Sequence, residues 1–299
     1  MATAQNRGGL FVLAAAVLWG TTGTSQALAP AAANPAVIGA LRLAIGGLAL
    51  LCIAFFGGNV GKNRRWPFVA TLCAAGFVAA YQACFFAAVA RTGVAVGTMV
   101  AIGSSPVLAG VLAYFIRGER PGAKWLVATL LTVLGCGFLV MSGGSLVAEP
   151  LGIALALGAG ASYAAYTLAI KTLLAEHPPE VVMAVVFCLG ALILAPLLLS
   201  ADLRWVVAPR GLAVVMHLGV VATAFAYLLF ARGLKTVSVA TAVTLSLAEP
   251  LTAGILGVTV LGEQLTLTAF AGIGLLFSGL AYLGFAGAGA GKATVKGIA

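Results

Sequence analysis

The sequence predicts an all-α integral membrane protein in which ten transmembrane helices form two five-helix repeats of inverted topology. Three observations predict this class. Hydrophobic residues make up 62% of the 299 residues, and charged residues only 8%. The apolar residues fall into ten runs of about 20 residues, the length that crosses a bilayer core of about 30 Å. A segment of the first half recurs in the second half.

The composition identifies lipid as the surroundings of most side chains. Soluble domains carry roughly 25% charged residues, so a chain with 8% cannot hide its apolar surface in one soluble core. Glycine, at 39 residues, suits helices that pack closely where water provides no driving force. The net charge of +9 does not indicate nucleic-acid binding, because the sequence has no basic patch with interleaved aromatic residues.

The apolar runs predict ten helices joined by short loops. They cover residues 9–29, 35–56, 67–90, 94–116, 124–142, 150–172, 178–200, 211–231, 237–260 and 266–286. The first run also resembles a signal peptide with a cleavage site at Ala27-Leu28-Ala29, but it is long for a signal and Pro30 disfavours cleavage. We therefore expect an uncleaved first span.

The positions of lysine and arginine predict the orientation. With a cytoplasmic N-terminus, the cytoplasmic segments hold twelve basic residues: Arg7, Lys62, Arg64, Arg65, Arg117, Arg120, Lys124, Lys171, Arg232, Lys235, Lys292 and Lys296. Only Arg91, Arg204 and Arg210 then lie in outer loops. Because basic residues favour the cytoplasmic side, both termini are expected in the cytoplasm.

Two pairs of matching segments carry the repeat. The segment "SPVLAGVLAYFIRGER" begins at Ser105, and "EPLTAGILGVTVLGEQ" begins 144 residues later at Glu249. The segments "YQACFFAAVAR" and "ATAFAYLLFAR" correspond in the same order. Span three therefore pairs with span eight and span four with span nine, which predicts two halves, 1–146 and 147–299. Five crossings per half invert the second half, as in many secondary transporters.

Several motifs carry a family resemblance: Trp19-Gly20, Arg42 in "GALRLAIGGLALL", the two repeated segments, and "GASYAAYTLAIK" in span six. In this order they resemble the drug/metabolite transporter superfamily in its EamA-type form with ten helices. Within that superfamily, the chain is similar to bacterial inner-membrane exporters of amino acids and related metabolites, including aromatic amino-acid exporters. The resemblance implies a central cavity between the halves, lined mainly by spans one to four and six to nine.

Three ionisable residues lie inside predicted spans: Arg42, His217 and Glu249. Charge within a bilayer is costly and is a functional-site hypothesis by default. A rise of about 1.5 Å per residue places all three at nearly one depth, slightly outside the midplane. Arg42 could bind the carboxylate of a zwitterion and Glu249 its ammonium group. The alternatives are an Arg–Glu pair that holds helices together, or an arginine that reaches outward to the interface.

Aromatic and amide side chains away from the span ends complete the candidates for the cavity. Most aromatic residues in helices fill cores or face lipid, but a buried tyrosine hydroxyl needs a polar partner. The predicted substrate-binding residues are Trp19, Arg42, Tyr81, Gln82, Tyr163, Tyr166, His217, Tyr227 and Glu249. Together they predict an apolar, adaptable cavity for a small amphiphilic solute.

Pro106 and Pro250 stand near the middle of spans four and nine, where proline removes a backbone hydrogen bond and kinks a helix. We predict that they are hinges beside the site, with packing geometry as the alternative. The same two helices end in Gly118-Glu119 and Gly262-Glu263. We expect these glutamates to be structural anchors that cap the short turn into the next helix.

The sequence has no motif for ATP use or catalysis, since GxxxxGK[ST], HExxH, a serine elbow and paired carboxylates are absent from it. We therefore expect that the protein is not an enzyme and that it has no catalytic residue, no cofactor and no metal site. The predicted function is secondary or facilitative export of amino acids, with broad specificity that extends to aromatic ones, or of similar small metabolites. Transport would occur by alternating access.

The alternatives are an exporter of cationic or hydrophobic drugs and, from another class, a channel. The predicted partners are a small-molecule substrate and the lipid bilayer, with no nucleic acid and a monomeric state. The predicted location is the bacterial inner (cytoplasmic) membrane, which the chain crosses many times.

Overall fold

A computed structural model describes residues 2–58, 66–141, 149–262 and 266–287. All regular secondary structure in these ranges is helical. The elements are α1 (Ala2–Ala27), α2 (Pro35–Phe56), α3 (Phe68–Arg117), α4 (Ala123–Met141), α5 (Pro150–Leu174), α6 (Pro179–Leu199), a 3₁₀ turn (Arg204–Val207), α7 (Pro209–Met216), a π-helical segment (His217–Phe225), α8 (Ala226–Leu234), α9 (Val239–Leu245), α10 (Ala248–Leu261) and α11 (Leu267–Gly287).

Within the described ranges, eight helical stretches are long and apolar enough to cross a membrane. Two shorter apolar stretches, Ala123–Phe138 and Phe270–Leu283, lie in α4 and α11. Large apolar side chains cover the outer surface, as Phe115 (78% exposed) and Phe277 (66% exposed) illustrate. Such a surface is stable against lipid and unfavourable in water. The predicted all-α membrane protein is confirmed at this level.

Local sequence explains where most helices begin and end. Helices α2, α5, α6 and α7 each start with a proline, whose fixed φ suits the first turn and whose missing N–H would be unpaired there in any case. The Asn34 side chain also accepts a hydrogen bond from Ala36 N at 2.9 Å. Gly118 and Gly262 end α3 and α10 with φ of 65° and 72°, which glycine adopts without a steric cost.

Spans three and four are both part of one helical element, α3, but they remain two separate candidate membrane spans, Phe68–Ala88 and Val100–Arg117. The two contacts that follow show that α3 is not one straight helix, because 20 residues of straight helix would span about 30 Å. Both arms of α3 pack along α5, because Cys84 lies against Gly158 while Ser104 lies against Gly160. The chain therefore reverses direction between the two arms.

Span nine differs from the prediction in the opposite way, because it is divided into α9 and α10. Leu247 N donates to Thr244 O at 3.1 Å, and Glu249 N donates to Ser246 O at 3.0 Å, both across three residues. The predicted kink at Pro250 is thus a break a few residues earlier. Pro250 lies in the first turn of α10, where no N–H is required. Pro106 lies inside the second arm of α3, in the stretch Val100–Arg117.

Glycines allow the helices to approach one another closely. A Cβ on Gly20 of α1 would lie 2.7 Å from the backbone oxygen of Glu249, and one on Gly135 of α4 would lie 2.7 Å from the oxygen of Gly272 in α11. Backbone atoms cannot move aside as a flexible side chain can. The high glycine content therefore serves interhelical contact, as expected for helices packed in lipid.

Candidate functional site

A cavity lies where seven of the predicted spans meet, and both halves of the chain line it. Its cavity volume is about 40 Å³, or about 490 Å³ when all space not filled by protein atoms, including the open space at its mouth, is counted. The lining residues are Trp19 of α1, Arg42 of α2, Tyr81, Ala101, Ile102 and Ser105 of α3, Tyr163 of α5, Tyr227 of α8, Ser246 at the α9–α10 break and Glu249 of α10. One cationic, one anionic and several hydroxyl groups therefore share a largely aromatic enclosure.

The structure brings six of the nine predicted substrate-binding residues together around this cavity. These are Trp19, Arg42, Tyr81, Tyr163, Tyr227 and Glu249. The other three lie elsewhere. Gln82 is buried in α3, and the hydroxyl of the fully buried Tyr166 lies 3.9 Å from the sulfur of Met183. His217 Nε2 hydrogen-bonds Thr21 Oγ1 at 2.8 Å, which ties the start of the π-helical segment to α1.

Arg42 is held by the π-helical segment. Its Nε donates to Thr223 Oγ1 at 3.1 Å. The contact requires close packing of α2 on this segment, and Gly46 makes that possible because a Cβ there would meet the Thr223 side chain. A guanidinium has five N–H donors, so one bond to a hydroxyl fixes Arg42 and leaves donors for a ligand. Arg42 was predicted from the sequence, whereas nothing in the sequence indicated Thr223.

Glu249 lies in the first turn of α10, half-buried and facing the same cavity. It is close enough to Arg42 for an electrostatic interaction. The ion pairs within 4 Å in the described ranges are Arg91–Glu149, Arg117–Glu119 and Arg232–Glu180. Arg42 and Glu249 are therefore unlike charges in one cavity without a direct ion pair. The structure thus does not contain the predicted Arg–Glu pair as a direct contact.

Aromatic rings form part of the wall of the same cavity. The Trp19 ring lies 4.6 Å from the Tyr227 ring and 6.3 Å from the Tyr163 ring, centre to centre. Tyr81 continues the wall, with its ring centre 5.9 Å from that of Tyr163. Trp19 is only 4% exposed, and its Nε1 has no hydrogen-bond partner. An unpartnered buried donor at a cavity wall is available to a ligand acceptor.

Two serines of the cavity were not among the residues predicted from the sequence. Ser105 immediately precedes Pro106 and is the repeat mate of Glu249, whereas Ser246 lies three residues before Glu249. Tyr163 OH and Ser246 Oγ are 3.1 Å apart. The duplicated segment was a signal for Ser105, because equivalent positions in two repeats can face one shared site. Nothing in the local pattern marked Ser246.

Glu119 is a structural anchor, but it contacts a different helix from the one expected. Its Oε2 accepts from Val239 N at 3.2 Å, the first residue of α9, and its Oε1 accepts from Arg117 Nε at 3.2 Å. The carboxylate therefore satisfies an N–H at the start of α9 rather than capping the turn into α4. Its repeat counterpart Glu263 lies outside the described residues.

Comparison with known proteins agrees with this architecture. The model of the EamA-like transporter family matches residues 6–141 and 150–285. The "Uncharacterized transporter YwfM" of Bacillus subtilis is 47% identical over 274 residues, which cover 91% of each chain. The "Threonine/homoserine exporter RhtA" of Escherichia coli is 33% identical over 265 residues, or 86% of this chain and 84% of the exporter.

The similarity extends to more distant proteins. The "Uncharacterized inner membrane transporter YicL" of Salmonella typhimurium is 26% identical over 91% of this chain and 93% of its own length. A protein of known crystal structure shares the fold with a TM-score of 0.81 at 24% identity, covering 92% of this chain and 97% of that one. The chain is a multi-pass membrane protein that belongs to the EamA-like transporter family.

Proposed function

We propose that this transporter exports neutral amino acids, or similar small zwitterionic metabolites, by a secondary or facilitative mechanism. The observation that carries the proposal is the pair Arg42 and Glu249, unlike charges that line one cavity without a direct ion pair. A zwitterion supplies a carboxylate for the guanidinium and an ammonium group for the carboxylate. Burying two charged residues is costly, and a ligand that completes both pairs offsets the cost.

The aromatic wall supports broad specificity for the side chain of the substrate. Trp19, Tyr81, Tyr163 and Tyr227 offer large flat apolar surfaces with polar edges, which accept side chains of varied shape, aromatic ones included. The threonine/homoserine exporters among the relatives have names that specify neutral hydroxylated amino acids. Their identity to this chain is 33–34%, which supports the class of substrate rather than one compound.

The proposed mechanism is alternating access between two inverted halves, 1–146 and 147–299, in the bacterial inner membrane with both termini cytoplasmic. Its support is the internal sequence repeat, the twofold match of the family model and the distribution of basic residues. The cavity draws residues from both halves, so a movement of one half against the other would open it to one side at a time. The divided span at Ser246 and the predicted hinges Pro106 and Pro250 lie beside or in the cavity wall.

Transport by purified protein in liposomes tests the proposal. Radiolabelled neutral, acidic and basic amino acids and a cationic dye are supplied separately, and initial rates are measured at increasing concentration. Saturable flux of several neutral amino acids that compete with one another is expected. Flux of the dye without flux of any amino acid would favour a drug exporter. Non-saturating conductance in a planar bilayer would favour a channel.

A further inference from the structure

We infer that the cavity contains a dedicated ammonium-binding subsite formed by the carboxylate of Glu249 and the hydroxyl oxygens of Ser105 and Ser246. The inference rests on the proposed function, because it specifies how the same cavity recognises one end of its substrate. The ligand class is a primary ammonium group on a small solute. The serines have a positioning and specificity role beyond the two charged residues.

The three residues lie where α3 passes the break between α9 and α10. All three residues line the cavity, and Ser105 and Ser246 are only 2% and 4% exposed. Glu249 N donates to Ser246 O at 3.0 Å, so these two residues lie one short turn apart. Ile102, one turn before Ser105, packs against a buried cluster that contains Leu247. This contact brings the Ser105 face of α3 to the break.

The hydrogen bond that each serine hydroxyl donates has a defined acceptor. Ser105 Oγ donates to Ile102 O at 2.7 Å, and Ser246 Oγ donates to Ala242 O at 3.0 Å. A serine hydroxyl has one proton and two lone pairs, so each oxygen faces its surroundings as an acceptor. Tyr163 OH, 3.1 Å from Ser246 Oγ, then acts as the donor to it and uses one of its lone pairs. Each serine still has an acceptor position to offer.

The number and kind of these acceptors match an ammonium group. An ammonium carries three N–H donors and no acceptor, and each donor left unpaired in a low-dielectric site costs free energy. Glu249, Ser105 and Ser246 supply one acceptor each, and Glu249 supplies the compensating charge. A substrate carboxylate would be repelled by Glu249 and would find no proton on either serine. The carboxylate of the substrate therefore belongs at the Arg42 end of the cavity.

The test separates the two ends of the substrate with two competitors of amino-acid flux. An amino-acid methyl ester keeps the ammonium and loses the carboxylate, whereas the matching deaminated acid keeps only the carboxylate. In Ser105→Ala and Ser246→Ala, the inhibition constant of the ester is expected to rise about tenfold, the effect of removing one hydrogen bond to a charged group. The inhibition constant of the deaminated acid is expected to stay unchanged.

Ser104→Ala is the matched control. Ser104 Oγ donates to Ala101 O at 3.3 Å in the same helix, and its side chain packs against Gly160 rather than lining the cavity. Both inhibition constants should remain at wild-type values in this variant. Size-exclusion profiles and thermal unfolding midpoints of all three variants verify that each one folds.

Two results would overturn the subsite: equal weakening of both competitors in the serine variants, or weakening of the deaminated acid alone. Binding of methylammonium to detergent-solubilised protein, measured as thermal stabilisation, tests the subsite without transport. Stabilisation of the wild type that is lost in Ser105→Ala would support the subsite even if no amino acid is transported, in which case the proposed function alone fails. No stabilisation of the wild type by methylammonium would reject the subsite.

Discussion

Ser105 and Glu249 hold equivalent positions in the duplicated segment, and both line the same cavity. Each residue precedes a proline, Pro106 or Pro250, but only the second half breaks its helix before that proline. Duplication thus placed two equivalent sites on one cavity, and the halves then diverged in chemistry. Ser105 donates a hydrogen bond to Ile102 O of its own helix and presents a neutral acceptor oxygen to the cavity. Glu249 supplies a negative charge.

The charge at Glu249 should therefore be required for transport rather than for folding. Glu249→Gln keeps the size and hydrogen-bonding capacity of the side chain but cannot titrate. We expect a normally folded protein that transports neutral amino acids about tenfold more slowly, because a hydrogen bond to a charged group is lost. The pH profile of transport should also flatten. Initial rates in liposomes, measured over a range of pH, report both effects.

Glu149→Gln provides the matched control for that variant. Glu149 pairs with Arg91 at 2.8 Å, and both side chains are 44% exposed, so the pair contributes little to stability. Transport by this variant should match the wild type at every pH. If Glu249→Gln also showed the wild-type rate and pH dependence at equal expression, Glu249 would be a structural residue only.

Thr223 should determine how well Arg42 binds a carboxylate. Thr223→Val keeps the branched shape of the side chain but removes the oxygen that accepts from Arg42 Nε, which leaves this donor without its partner. We expect a KM for amino acids raised by about threefold to tenfold with a smaller change in maximal rate, because the loss of one fixed hydrogen bond loosens the guanidinium. Concentration series in liposomes give the two constants separately.

Thr132→Val is the control for the threonine substitution. Thr132 is fully buried in α4 and bonds only the backbone oxygens of its own helix, Ala128 O and Thr129 O. The Thr132→Val substitution should leave the KM for amino acids unchanged. A KM for Thr223→Val equal to that of Thr132→Val would show that Arg42 does not depend on Thr223.

The sequence predicted the helices much better than their lateral arrangement. Apolar length and helix-starting prolines located the spans to within a few residues, because the bilayer and local backbone chemistry determine them. The depth of each residue in the bilayer could also be predicted from the sequence. Depth alone, however, grouped His217 with Arg42 and Glu249. The structure gives His217 a partner in Thr21 instead. Which side of a helix faces the cavity depends on interhelical packing, which one sequence does not specify.

The positions of the irregular backbone segments also could not be predicted from the local sequence pattern. A proline predicts that a helix is weakened, yet Pro250 lies in the first turn of α10 and the break falls at Ser246 and Leu247. The π-helical segment that carries Thr223 contains no proline or other local signal. Such segments persist because neighbouring helices pack on them, so their position is a tertiary property.

The orientation of the chain can be tested with reporter fusions. The bias of basic residues predicts that fusions after Gly58 and Gly118 report a cytoplasmic location, and that fusions after Asn34 and Ser200 report a periplasmic one. Paired alkaline phosphatase and fluorescent-protein fusions at each position give opposite signals and so control for expression. A periplasmic signal after Gly118 would contradict the inverted-repeat arrangement.

The contact between α1 and α10 should be a sensitive packing point near the cavity. A Cβ on Gly20 would lie 2.5 Å from the Thr252 side chain and 2.7 Å from the backbone oxygen of Glu249. Gly20→Ala therefore has to push α10 away, and overpacking of this kind costs about 1–3 kcal/mol. Because Trp19 and Glu249 flank the contact, transport should fall together with the thermal unfolding midpoint.

Gly23→Ala, one turn further along α1, tests whether helix packing is the cause. A Cβ on Gly23 meets nothing within 4 Å, and alanine stabilises a helix interior by about 0.5–1 kcal/mol relative to glycine. This variant should be at least as stable as the wild type and fully active. The two substitutions change the same helix by the same methyl group, so only the neighbours differ. If Gly20→Ala matched Gly23→Ala in midpoint and transport rate, the close approach of α1 to α10 would not be needed for either property.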